Sequence, residues 1–118
     1  MKRAIPDDEV TVGTGNIWLD MGWSPEEAEV MSAKVWLTKR IHDRIKELGL
    51  TQVKAAKQLG VSQPDVSRLM NIRPTQFSTE KLMSFLRALQ LDTDIVIRPK
   101  RRKTAGPGVM RVMEAAPA

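Results

Sequence analysis

An all-α bundle of four to five helices, followed by one C-terminal β-strand, is the fold class this sequence predicts, and three observations carry the prediction. Apolar residues recur at helical spacing in successive stretches, with serines at 24, 62 and 78 placed to cap three of the helices. Glycines at 49 and 60 fall where those stretches must stop or turn. A single segment, Asp92-Thr93-Asp94-Ile95-Val96-Ile97-Arg98, alternates and is rich in β-branched residues, so it reads as the strand, ended by Pro99.

Taken in order, residues 1–23 form an arm in which Pro6, Gly13, Gly15, Gly22 and acidic groups argue against a long helix, with Glu9-Val10-Thr11-Val12 suited to a short strand. The first helix opens at Ser24-Pro25-Glu26-Glu27. Ser24 can cap, Pro25 is tolerated at the first helical position, and Glu27 completes a capping box. Met31, Val35, Ile41, Ile45 and Leu48 then repeat at helical spacing up to the stop at Gly49. Unbroken, this helix is about 35 Å long, with a bend conceivable near Thr38. Short helices fit 51–59 and 62–70, joined by Gly60-Val61; Arg73-Pro74 marks a loop. Ser78 opens the last helix, with Leu82, Phe85, Leu86 and Leu89 on its apolar side. The strand at 92–98 needs a partner, either the front segment or the same strand of a second copy. From Lys100 onward, Gly, Pro, Ala and basic residues suit a tail without order.

Composition narrows the function classes. The 118 residues contain no cysteine, which excludes disulfides and thiolate metal sites and fits a cytoplasmic protein. No apolar run reaches the ~20 residues of a membrane span, and Asp7, Asp8 and Glu9 interrupt any export signal. The net charge of +5 is unevenly spread: two basic against seven acidic groups over 1–29, eleven against four over 30–91, and six against three thereafter. A basic middle suits a polyanion, whereas the acidic front suits a basic protein; solvated faces are the plainer explanation of both.

The informative segment is Thr51 to Met70, TQVKAAKQLGVSQPDVSRLM. Two helices packed steeply across a short turn need small residues where backbones approach. Ala56 meets that need on the first helix, Gly60 accommodates the turn, and Val53, Leu59, Val61, Val66 and Leu69 are expected to face inward. Ser62 can cap the second helix, with Asp65 completing an acidic capping box or, alternatively, accepting from a cytosine. Gln52, Lys54, Lys57, Gln63, Ser67 and Arg68 are left outward. With the second helix in a DNA major groove, Gln63 suits an adenine edge, Arg68 a guanine or phosphate, and Ser67 a base or the backbone. Gln52, at a helix start, and Lys54, Lys57 and Arg73 suit phosphates.

On these residues the segment resembles the helix-turn-helix of the XRE family of phage-repressor-like regulators, which implies a lambda-repressor-like bundle and DNA binding. A longer resemblance runs over about residues 13–99. The order GTGNIWLDMGW, a capped helix, LTQVKAAKQLGVSQPDVSRLM, FSTEKLMSFLRALQLD and DIVIRP is similar to HigA-type antitoxins of toxin–antitoxin operons. That resemblance implies a homodimer on double-stranded operator DNA that represses its own operon and neutralises a RelE/HigB-like ribonuclease toxin. The same architecture occurs in repressors with no toxin, and a third reading is a protein-interaction module without DNA binding. The expected division is an arm over 1–23, a DNA-binding domain with its strand over 24–98, and a basic tail over 99–118.

Trp18 and Trp23 in the acidic arm suit either anchors for a basic toxin or staples onto the protein's own core, and Trp36 suits core or a dimer interface. The run Arg98 to Lys103 suits either phosphates or solubility. Gly13-x-Gly15 lacks the third glycine and the helix of a phosphate loop, and His42 has no second histidine to share a metal. With no cysteine or tyrosine and no histidine pair, no acid–base set for an enzyme and no cofactor site is expected.

Overall fold

The computed structural model describes residues 19–73, 77–100 and 106–115, and four helices lie wholly within them: α1 (Pro25–Glu47), α2 (Gln52–Leu59), α3 (Gln63–Met70) and α4 (Thr79–Ala88), with Leu19 and Asp20 also helical. Each begins at a side-chain cap that satisfies an otherwise orphaned N–H. At α1 the capping box is complete, with Glu27 N–H donating to Ser24 Oγ at 3.1 Å and Ser24 N–H to Glu27 Oε1 at 3.0 Å. Thr51, Ser62 and Ser78 accept from the third residue of α2, α3 and α4 in the same way.

Helix α1 runs unbroken through Thr38, whose buried hydroxyl donates to the Lys34 carbonyl at 2.7 Å. It stops where Gly49 turns to φ +66°, with Gly49 N–H bonding Lys46 O and Leu50 N–H bonding Ile45 O. These bonds satisfy carbonyls that the last turn would otherwise leave open.

The second half of α1 is the floor of the core. Leu37, Ile41 and Ile45 pack with Ala55, Ala56 and Leu59 of α2, Val66 and Leu69 of α3, and Leu82, Phe85 and Leu86 of α4. Phe77 meets Phe85 edge-on, ring centroids 5.3 Å apart. Two side chains lock the end of α4 to the other helices: Arg44 Nε donates to Leu89 O and Gln58 Nε2 to Ala88 O, each at 3.0 Å.

The first half of α1 faces different company. Residues 106–115, expected to form a tail without order, carry no helix or strand but lie against it. Met110 N–H donates to Glu29 Oε1 at 3.0 Å, and Arg40 Nε meets Glu114 Oε2 at 2.9 Å. Between them is an apolar hollow lined by Ala28, Ala33, Trp36, Val109 and Val112. Ser32 Oγ is buried there without a hydrogen-bond partner among the described residues.

One expectation needs correction. Residues 92–98 form no strand: no backbone group in this segment bonds another among the described residues. The physical reason is that a strand's hydrogen bonds must come from a neighbouring strand, and none lies beside it within the described chain. No described helix is long and apolar enough to cross a membrane.

Candidate nucleic-acid interface

Helices α2 and α3, eight residues each, are joined by Gly60-Val61-Ser62. Gly60 takes φ +72°, and its N–H and that of Val61 both bond the Ala56 carbonyl, at 2.9 and 3.0 Å. This tight reversal brings the helices close where Ala56 is buried; a larger side chain there would separate them. Val66 and Leu69 are wholly buried, so they fix the rotation of α3 about its axis and with it the face left to solvent.

That face carries Gln63 and Arg68, both exposed, and the half-buried Ser67. On α2, Gln52, Lys54 and Lys57 are exposed, as is Arg73 after α3. Between Thr51 and Arg73 the sequence holds four basic residues against the single acid Asp65, so the surface attracts an anionic backbone. Ser67, Arg68 and Arg73 line one shallow hollow together with Pro64 and Asn71. Lys54, Lys57, Gln52 and Gln63 lie outside that hollow.

Three details depart from the sequence reading. The Asp65 carboxylate does not return to Ser62 as a capping box would have it; it accepts from Arg68 Nη1 at 2.7 Å. One turn of helix separates the two residues, and a guanidinium brings a full positive charge to the carboxylate that a backbone N–H lacks. The ion pair holds the Arg68 head against α3, so contact with a base or phosphate requires the guanidinium to be shared or released. Val53, expected inside, is 62% exposed. The buried stripe of α2 is Ala55, Ala56 and Leu59, and Val53 sits about a third of a turn away from its centre. Asn71 was missed: its Nδ2 donates to Ser67 O at 2.9 Å, closing the end of α3 beside Arg68 and Arg73. Its position four residues after Ser67 was the available signal.

The other singled-out residues are elsewhere. Trp18 lies outside the described residues, as do Arg101, Arg102 and Lys103 of the basic run. Trp23 is half-buried just ahead of α1, and Trp36 lines the hollow on the first half of α1. His42 Nδ1 lies 3.0 Å from Asp43 Oδ1 on the α1 surface. Burial raises the Asp43 pKa, but hydrogen bonds with His42 and Lys39 outweigh it, leaving the carboxyl below its ordinary value. Among the described residues no three His, Cys, Asp or Glu side chains gather to hold a metal.

Against known proteins, residues 20–98 match the model of a family described as a helix-turn-helix domain. A solved structure assigned by its name to the XRE family of transcriptional regulators matches at a TM-score of 0.67 and 39% identity, over 75% of this chain and 99% of that one. No protein of curated function matches by sequence.

Proposed function

The chain belongs to the XRE family of helix-turn-helix transcriptional regulators, and from that premise we propose that it represses transcription as a homodimer bound to a near-palindromic operator. Helix α3 enters the major groove, with Gln63, Ser67 and Arg68 reading base edges. Gln52, Lys54, Lys57 and Arg73 grip phosphates on either side and set the register of the helix. Two copies place their α3 helices one DNA turn apart, about 34 Å.

The observation that carries this reading is the division of α3: Val66 and Leu69 are fully buried while Gln63 and Arg68 are exposed. A helix held rigidly by one face and polar on the other is what groove reading requires. The test is titration of operator and scrambled duplexes at several salt concentrations. Gln63→Ala and Arg68→Ala should each cost about 1–3 kcal/mol on the operator and relax its sequence preference. Lys57→Ala should weaken both duplexes alike and lower the salt slope by about one. Unchanged operator affinity in both base-reading variants would remove α3 from the groove. Salt-independent binding would favour a module that engages only protein.

A second reading adds a protein partner: an antitoxin that neutralises a small basic ribonuclease of the RelE/HigB kind and represses its own operon. What supports it is the front of the chain, residues 1–29, with seven acids against two bases and tryptophans at 18 and 23. DNA repels such a segment, whereas a toxin with a positive RNA-binding groove attracts it. Co-purification with the products of adjacent reading frames, and growth tests of each neighbour alone, decides it. A neighbour that binds this chain and halts growth without it establishes the antitoxin; failure of every neighbour leaves the repressor.

A further inference from the structure

From Leu91 to Lys100 the chain runs without turn, bend or helix, and within it Ile95, Val96 and Ile97 are 76%, 73% and 90% exposed. Their backbone groups make no bonds to other backbone groups among the described residues. A β-branched segment with an open backbone on both edges is a template for another strand. We infer that this segment is a dimerisation strand, pairing antiparallel with residues 92–100 of a second copy about a two-fold axis through Val96.

The charge pattern selects the occupant and, together with the isoleucines, the register. With Val96 opposite Val96, Asp94 meets Arg98 of the second copy and Asp92 meets its Lys100, each pair repeated by symmetry. Moving the axis to Ile95 keeps only an Asp92–Arg98 pair; moving it to Ile97 keeps Asp94–Lys100 and sets Asp92 opposite Arg102, but it leaves Ile95 opposite Pro99 where the Val96 axis sets it opposite Ile97. Lys100 Nζ bonds the Gly106 carbonyl at 3.0 Å in the single chain, an exposed contact it exchanges for Asp92.

Proline agrees with the same register. When the Val96 pair is hydrogen-bonded, the Asp94–Arg98 pair is too, and the alternate positions are not. Pro99 then falls opposite Thr93 at a non-bonded position, where its missing N–H is no loss. Ile95 and Ile97 occupy the closer, non-bonded pairs and gather four isoleucines on one face of the ribbon, leaving the charges on the other. The inference rests on the proposed homodimer and supplies its interface.

Sedimentation equilibrium of the full chain without DNA tests it. The wild type should be a dimer, Asp94→Arg and Arg98→Asp should each raise the dimer Kd about tenfold, and the double swap should return it to within about threefold of wild type. Because the sequence has no cysteine, Val96→Cys should also cross-link copies on oxidation, whereas Arg98→Cys should not, its symmetry mate being several residues away along the ribbon. A monomer at every concentration, a dimer indifferent to the swaps, or a double variant as weak as the singles overturns the inference. None of these measurements contains DNA, so a failure here leaves the Gln63 and Arg68 test of operator reading untouched.

Discussion

Helix α3 and residues 92–98 are nearly equal in length, both mix apolar with polar side chains, and they end up in opposite states. Helix α3 buries Val66 and Leu69 completely, whereas 92–98 leaves Ile95 and Ile97 in water. The difference lies in where each finds its hydrogen bonds. A helix closes its ladder within the segment, so only one face has to find neighbours, and α1 and α2 supply them. A strand has no internal ladder and needs another strand before its side chains matter. The first region is therefore complete within the described chain, whereas the second has no strand beside it there.

The largest break in this contrast comes from truncating each region. Leu69→Ala should destabilise the chain by about 2–5 kcal/mol, since it opens a cavity where α3 packs on α1 and α2. Ile97→Ala should leave the unfolding midpoint of dilute, monomeric protein unchanged and act only on association; denaturant melts at low and high concentration check both. If Ile97→Ala destabilised the dilute monomer as strongly, the segment would be packed within the chain.

A smaller effect belongs to the turn that sets α2 against α3. A Cβ added at Gly60 meets nothing within 4 Å, so Gly60→Ala carries backbone strain at φ +72° and no clash. The expected loss is about 1 kcal/mol, the left-handed penalty less the gain from a stiffer unfolded chain, read from the same denaturant melts. A loss of several kcal/mol would mean the turn is crowded.

The smallest effect is at the start of α1. Glu27 has its pKa lowered from 4.5 by hydrogen bonding to the Ser24 backbone and side chain. Because the folded value lies below the unfolded one, the contribution is present above about 4.5 and is lost as pH falls through the folded value. Thermal melts in acid should show a drop that Glu27→Gln reduces, since its amide keeps the box without titrating.

How much could be read beforehand follows the same line. The caps at Ser24, Ser62 and Ser78, the stop at Gly49 and the turn at Gly60 were legible, because each works through bonds spanning a few residues. The outward positions of Gln52, Lys54, Lys57, Gln63 and Arg68 were legible too, as the opposite side of an apolar stripe. Val53 was not, because one apolar residue near a helix end fits either side of such a stripe. Asp65 was misplaced because two local partners competed for it, and the guanidinium of Arg68 is the stronger. The packing of 106–115 on α1 left no periodic trace, being held by Glu29–Met110 and Arg40–Glu114 contacts between residues far apart in the chain.

By itself, then, the sequence determined the four helices, their caps and the polar face of α3, since these depend on neighbours three or four residues apart. Only the tertiary structure decided which carbonyls Arg44 and Gln58 would lock, which half of α1 would face the core, and that 92–98 would find no strand beside it among the described residues. Those outcomes depend on surfaces that exist only once the helices have packed.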